Sequence, residues 1–417
     1  MAVLTAILVV NAGSSSLKLR VLADSDEVLS SADLPAPRGA TDTKEIEAAI
    51  RSFGDSMAEV TAAGHRIVHG GDLFSGPVLI DAGVRRQLGD LTDLAPLHQP
   101  KSLAALDAVN AVLPGVPAIG CFDTAFHATI PAAAATFALP AEWRKRWGLR
   151  RFGFHGLSHA YVSRRAADLL GAASGAGASG AGASGAAASG AGASGAGLRV
   201  VSCHLGAGAS LAAVRDGRSV DTTMSFTPLD GLIMATRSGS VDPGLVLWLQ
   251  THAKIHVDDL GDALEHRSGL YGLAGTGDMR EVLSRAAAGD AGTAGTGAAG
   301  DAAAGAAGTA GAVLARDAYL HRLRGSIAAM AAAMDGLDAL VFTGGVGENS
   351  AEIRSRAMAG LGFLGVREDA GRNTAGTGDR EIGMPDAPVR SLVIAAREDI
   401  EIARQVREVL RSSHPQH

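Results

Sequence analysis

The stretch Val9–Val21, VVNAGSSSLKLRV, sets a short Gly/Ser turn between two apolar segments. Ala6 to Val10 is a continuous apolar run. From Ser16 to Val21 the residues alternate, with Ser16, Lys18 and Arg20 on one face and Leu17, Leu19 and Val21 on the other. A period of two predicts a strand, so the opening reads as a β-hairpin. A Walker A loop needs G-x-x-x-x-G-K-[ST], and the spacing here is different. A phosphate bound at this place would be held by a hairpin turn, whose backbone N–H groups can form an anion nest.

The pattern recurs. Leu198–Cys203 and Leu211–Val214 flank a second Gly-rich turn, HLGAGAS, and the strand Ala339–Thr343 runs into a third, GGVGEN. Leu320, Leu323, Ile327, Met330, Met334 and Leu337 recur three and four apart, which predicts a long helix ending near Asp335-Gly336. Alternating strands and helices predict a mixed α/β architecture. Three Gly-rich turns on two similar halves predict a nucleotide gripped by turns in a cleft between two domains, and 417 residues suit that number. Two segments stand apart. Ser174–Leu198 repeats a five-residue SGAGA unit, and Ala286–Ala312 is mostly Ala, Gly, Thr and Asp. Neither carries enough apolar surface to offset its ordering entropy, so both are expected to be flexible surface insertions, with silk-like β-pairing the alternative for the first.

Charge and composition narrow the function. The net charge of −6 includes no basic stripe for nucleic acid and no polybasic segment for a membrane surface. No run approaches the ~20 apolar residues of a spanning helix, and no signal peptide is expected at the N-terminus. Cys121 and Cys203 lie far apart without metal spacing, as expected of reduced thiols in a cytoplasmic protein. Arg66 (GHRIVHGG) and Arg237 (ATRSGS) are candidates for phosphoryl recognition, because guanidinium forks match phosphate oxygens. Asp123 (FDTAFH) and Glu398 (AAREDIEIA) are candidate carboxylates for Mg²⁺, which binds through one or two carboxylates, water and phosphates. His155 (FGFHGLSH) and His98 (LAPLH) are the histidines that stand out.

In order along the chain stand NAGSSSLK, GHRIVHGG, LAPLH, FDTAFHATIP, RRFGFHGLSH, HLGAGAS, PLDGLIMATRSGSVDPG and FTGGVGEN. With these motifs the sequence resembles the acetate kinases, the acetokinase family, within the superfamily that also holds sugar kinases, heat-shock chaperones and actin. The resemblance covers nearly the whole chain outside the two insertions. It implies two ribonuclease-H-like α/β domains of the actin-like ATPase kind around a nucleotide cleft. The first is expected over 1–128, with the C-terminal helix 399–412 packing back on it. The second is expected over 129–398, with insertions at 174–197 and 286–312.

The implied activity is reversible, Mg²⁺-dependent, direct in-line phosphoryl transfer from ATP to acetate, giving acetyl phosphate and ADP. Mn²⁺ is an alternative metal. A cytoplasmic homodimer is implied, with neither nucleic acid nor membrane as partner. By resemblance Asn11, Arg66, Asp123, His155 and Arg237 are catalytic, with His155 and Arg237 stabilising the transition state and His98 supporting the site. Asn11 and Glu398 are implied at the metal. Val68, Leu97, Phe154 and Pro228 are implied as walls of the pocket for the acid, beside Arg66. Ser14, Ser16 and Lys18 belong to the first phosphate turn, and His204, Leu205, Gly206, Ala207 and Gly208 to the second. Gly344, Gly345, Val346, Gly347, Glu348 and Asn349, with Asp278, Met279 and Arg280, are implied at the adenosine.

Some positions depart from the family pattern. Ala207 stands for a usual Asn. Gln99 and Ser102 replace Asn in the run after His98. Ala235 and Ser240 replace Gly and Asp beside Arg237, and the triplet RED, Arg397 to Asp399 with the metal carboxylate Glu398 at its centre, stands in place of NEE or DEE. A propionate or other short-chain carboxylate kinase is the alternative activity. A non-catalytic relative, or a nucleotide-gated binding protein, is the alternative class.

Overall fold

Strand alternation in the first hairpin decides how its sheet is covered. The structure, a computed structural model, describes residues 6–13, 16–35, 43–95, 99–175, 197–290 and 299–413. Ser14, Leu97, His98 and most of the SGAGA repeat lie outside the described residues. The chain divides into two compact units.

The first unit takes residues to Thr129, Leu139–Tyr161, and Arg397 onward. Its sheet comprises β1 (Ala6–Ala12), β2 (Ser16–Leu22), β3 (Val28–Pro35), β4 (Val60–Ile67), β5 (Val78–Leu79) and β6 (Ala118–Phe122), in the order β3-β2-β1-β4-β6-β5. β1 pairs antiparallel with β2 but parallel with β4, and β4 is parallel to β6. Alternate residues of β1 feed two cores. Ala6, Leu8 and Val10 meet Ile46 and Ile50 of the helix Thr43–Ser52 and Val109 of the helix Gln99–Val112. Ile7 and Val9 meet Ile402, Ala403 and Val406 of the helix Glu398–Ser413, together with Leu157. The C-terminal helix comes so close that a Cβ on Gly64 would lie 2.5 Å from Ile402 Cγ2 and 2.6 Å from Val406 Cγ2.

The second unit spans Ile130–Ala138 and Val162–Ala396. Leu139–Tyr161, expected in the second domain, thus belongs to the first unit. Leu157 in the core below β1 is part of the reason. The second sheet holds β7 (Arg199–Leu205), β8 (Ala209–Arg215), β9 (Arg218–Thr222), β10 (Ala339–Thr343), β11 (Arg380–Glu381) and β12 (Arg390–Val393). Its order, β11-β12-β10-β7-β8-β9, repeats the first sheet: three antiparallel strands, two more joined in parallel, and an antiparallel edge. β10, ALVFT, is buried throughout, as expected of a central parallel strand covered on both faces.

Three local readings are corrected. The GGVGEN segment is a short helix, Gly344–Asn349, not a turn. The second hairpin turns only on Gly206–Gly208, because the strands extend to Leu205 and begin again at Ala209. Much of 286–312 is helical rather than a loose insertion: the helix Met279–Asp290 takes one end and the helix Ala299–Ala332 the other. Alanine is the best helix former, and Ala286 and Ala312 are fully buried.

Candidate active site

In the first unit the parallel strands β1, β4 and β6 deliver their C-terminal ends side by side. Val10 lies opposite His65, and Ile67 opposite Phe122, so Asn11, Arg66 and Asp123 emerge on one edge of the sheet. Ligand sites of open α/β sheets lie at such edges. Arg66 Nη2 donates to Asp123 Oδ2 at 2.6 Å, and Nε lies 3.1 Å from both carboxylate oxygens. Arg66 Nη1 donates to Asn11 Oδ1 at 3.1 Å, and Asn11 Nδ2 donates to Glu398 Oε2 at 2.7 Å. Glu398 Oε2 is 3.9 Å from Arg66 Nη1. Glu398 opens the C-terminal helix, so the packing of that helix under β1 brings the carboxylate here.

The electrostatics follow from burial. Asp123 is 1 % exposed and Arg66 14 %. Burial pushes Asp123 up; Arg66 pulls it down and Glu398 adds to the rise. Burial also opposes the charge on Arg66, but Asp123 and Glu398 outweigh it and raise its pKa. The cluster is therefore organised around one permanent cation.

Gly156 N donates to Asp123 O at 2.9 Å, tying FGFHG to FDT. A Cβ on Gly156 would meet that same oxygen at 2.1 Å. His155 precedes it at φ +55°, a backbone bend that sets the entry to the helix Gly156–Gly175. Val68 and Phe154 are buried, though β4 ends at Ile67 and Val68 lies one residue past the strand. His69 packs edge-on against Phe152 and Phe154, and Gln99, fully buried, bonds both backbone groups of His69. Gln99 thus fills a structural place. Lys18, opposite Asn11 on β2, is exposed.

In the second unit β10 runs parallel to β7 with Thr343 opposite His204. The Gly206–Gly208 turn and the helix Gly344–Asn349 therefore leave neighbouring strands at one edge. Glu348 Oε1 accepts from Gly344 N at 2.9 Å and from Ala396 N at 3.0 Å, pinning that helix. Ala235 N donates to Ala207 O, and Tyr271 N to Ala235 O. These bonds bring the Arg237 segment, the second turn and the chain leading to Asp278–Arg280 together. Arg237 Nη1 donates to the Pro228 carbonyl at 3.0 Å, and its Nε lies 3.3 Å from Glu265. Burial lowers the Arg237 pKa, with Glu265 opposing. Ser240 donates to Asp230 at 2.5 Å. Arg280 is exposed, and its hydrogen bonds hold the Asp278 carboxyl down at about 2. Glu265 was missed by sequence reasoning, for it lies in the helix Val257–His266 without a motif.

Two sheets of one strand order, each gathering a guanidinium and glycine turns at one edge, define the two-domain actin-like ATPase fold class. The acetokinase family model matches residues 40–178 and 177–404. An acetate kinase of Nostoc punctiforme is 43 % identical over 86 % of this chain and 78 % of its own length. One from Clavibacter michiganensis is 40 % identical over 96 % of this chain and 98 % of its own. Among solved structures, Porphyromonas gingivalis acetate kinase superposes with a TM-score of 0.80 at 31 % identity, covering 97 % of this chain and 100 % of that one. A propionate kinase from Francisella tularensis gives 0.80 at 32 %, covering 96 % and 98 %. The chain belongs to the acetokinase family.

Proposed function

We propose that the chain is an acetate kinase, transferring the γ-phosphoryl group of ATP to acetate and running in reverse from acetyl phosphate and ADP. The observation that carries this reading is the buried Arg66, held in one orientation by Asp123 and Asn11, within a family of carboxylate kinases. An acetate oxygen attacks the γ-phosphorus while the bond to the bridging oxygen of the departing ADP breaks. Acetate is ionised at neutral pH, so no proton has to move and no general base is required. What the transfer requires is positioning and charge neutralisation. Arg66 and Arg237 supply that charge to the carboxylate and the phosphoryl oxygens. Asp123 and Pro228 O orient them. His155 donates to a transferring oxygen.

The oxygen donors Asn11 and Glu398 fit a hard cation. Mg²⁺ would be held largely by nucleotide phosphates and water, with these two residues completing its shell. When bound, the ion would neutralise charge on the β- and γ-phosphates. The turns at Asn11–Lys18 and His204–Gly208 hold phosphates, and Gly344–Asn349 with Asp278–Arg280 hold the adenosine. Val68, Phe154 and Pro228, with Leu97 outside the described residues, are on the family resemblance the residues proposed for the acid's methyl group.

A homodimer is supported by the helix Pro243–Thr251, PGLVLWLQT, which buries none of its residues within the chain. A cytoplasmic location is supported by ATP as co-substrate and two free, buried thiols; no described helix is long and apolar enough to cross a membrane.

Propionate kinase is the second reading, favoured by the Francisella structure. A hydroxamate assay with acetate, propionate and butyrate separates them. Acetate is expected to give the highest kcat/KM, with propionate lower by the roughly 10–200-fold or less that one methylene is worth. Preference for propionate would transfer the assignment to the second reading, and no turnover of any acid would remove both.

A further inference from the structure

Behind the helix Gly344–Asn349 the second unit holds a cavity of about 220 Å³, lined by Glu348, Asn349, Arg354, Asn373, Thr377 and Arg380 among others. Val393 and Ala395, at the C-terminal end of β12, complete its wall. None of the roles proposed above uses Arg354 or Arg380.

The two guanidiniums are unusual in their partners. Arg354 is 1 % exposed. It donates through Nε to Asn373 Oδ1, through Nη2 to Asn373 O, and through Nη1 to Gly347 O and Glu348 O. All four acceptors are neutral. Arg380 donates through Nη1 to Gly378 O, and its buried Nε has no partner among the described residues. Neither arginine has a carboxylate within ion-pair distance among the described residues, although most arginines of the chain do. Burial, and then the charge of Arg380, lower the Arg354 pKa to about 10, with Glu368 opposing.

The cavity wall carries one carboxylate, Glu348, and its Oε1 is already taken by Gly344 N and Ala396 N. Of the other polar side chains, Thr377 offers its hydroxyl and Asn349 its second amide hydrogen, while the Asn373 amide and the Thr374 hydroxyl already donate within the chain. A buried, unpartnered N–H costs about 1–3 kcal/mol, and two like charges near one cavity add to that cost. An anion relieves both. At about 30 Å³ per water, the space suffices for a tetrahedral oxyanion with part of its hydration.

We propose that this cavity is a binding site for a small free oxyanion of the phosphate class, separate from the phosphate turns of the active site. Arg380 supplies the main fork, through its Nε and free Nη hydrogens, and Arg354 the buried positive field. Because Arg354 also holds Gly347 O and Glu348 O, an occupied site braces the helix Gly344–Asn349 from behind.

The test uses the full chain and inorganic phosphate, with ionic strength fixed by chloride so that general screening is constant. Thermal melting without nucleotide should rise with phosphate in a saturable way, as linkage requires of a ligand of the folded state. Arg380→Gln should weaken the apparent affinity by about tenfold, the scale of losing a charge-assisted hydrogen bond. Arg380→Lys, with the charge kept and the fork lost, should fall between them. An equal phosphate response in wild type and Arg380→Gln would place the anion at the active-site turns and overturn the proposal, as would no saturable response. Hydrogen exchange of the unmutated chain gives a second readout. Phosphate should protect amides in 373–380 and 393–396, and protection confined to 11–18 and 204–210 would overturn it.

Discussion

Arg66 is the residue on which the first unit's cluster turns, because Asp123, Asn11 and Glu398 all address it. Removing it leaves Asp123 buried without its cation and takes a strong donor from the reaction. Arg66→Ala should lower kcat by about 10²–10³ or more. Lys should rescue poorly, since it lacks the bidentate fork. The same holds for Arg237→Ala. If both act on one phosphoryl group, the double variant should lose much less than the product of the two single losses. Steady-state kcat on the four proteins decides this, and a multiplicative loss would separate the two arginines into independent roles.

Three of the four histidines that lie buried in the first unit among the described residues set a pH limit of their own. Burial lowers His65 to about 3, and His69 and His127 to about 4, from 6.5. The carboxylate Asp107 partly offsets the shift at His65, and the carbonyl of Phe154 partly offsets it at His127. The unfolded chain binds these protons below pH 6.5 and the folded chain does not. Stability is therefore complete above pH 6.5 and falls as pH drops toward 4, by up to about 1.4 kcal/mol per pH unit for each histidine. Urea midpoints at pH 7.5, 6 and 5 should fall in that order. His65→Leu should flatten the slope by about one third, and an unchanged slope would remove His65 from the account.

At the scale of elements, the hairpins were legible because a period of two on both sides of a Gly-rich turn has few other readings. The sheet order was not. The pairings of β1 with β4 and of β4 with β6 are parallel and distant in sequence, and local pattern carries no register for them. The glycines of GGVGEN point to a turn, whereas Glu348 reaches back to Gly344 N and fixes a helical turn. The ends of 286–312 were read as loose on composition alone, and their helicity depends on burial at Ala286 and Ala312. At the candidate site the motifs pointed to Asn11, Arg66, Asp123 and Glu398, but no spacing shows that Glu398 must lie 2.7 Å from Asn11 Nδ2. That contact depends on the C-terminal helix docking under β1. The contact between two motif elements gives a prediction at this scale. In Gly156→Ala the new Cβ meets the Asp123 carbonyl oxygen, which cannot rotate away. Overpacking costs about 1–3 kcal/mol, and the backbone of Asp123 must shift. The variant should lose both melting temperature and most of its kcat, whereas Gly345→Ala, with open space at its Cβ, should keep its melting temperature. Equal behaviour of the two would show that the FGFHG–FDT contact is dispensable.

At the scale of the whole molecule, the exposed face of the helix Pro243–Thr251 is the feature a lone chain explains least. Leu247 is 61 % exposed and Trp248 52 %, with Leu245 beside them. Burying a large side chain of this kind is worth about 1.5–3 kcal/mol, and a large exposed apolar patch marks an interaction surface. The helix carries no charged residue, so it offers nothing to a partner chosen by charge and suits a self-complementary contact with a second copy about a two-fold axis. A stable dimer needs about 800 Å² from each partner, more than one nine-residue helix supplies, so neighbouring exposed residues such as Val241 and Val257 are expected to contribute. Leu247→Asp should place an uncompensated charge in that contact and raise the dimer dissociation constant by about 30- to 700-fold, the effect of losing a central anchor of about 2–4 kcal/mol. Sedimentation equilibrium of both proteins at micromolar concentration measures it. Wild type should sediment as a dimer of the 42.0 kDa chain and Leu247→Asp as a monomer with unchanged far-ultraviolet circular dichroism. A monomeric wild type would remove the homodimer reading, and a Leu247→Asp dimer of wild-type stability would move the interface to another face.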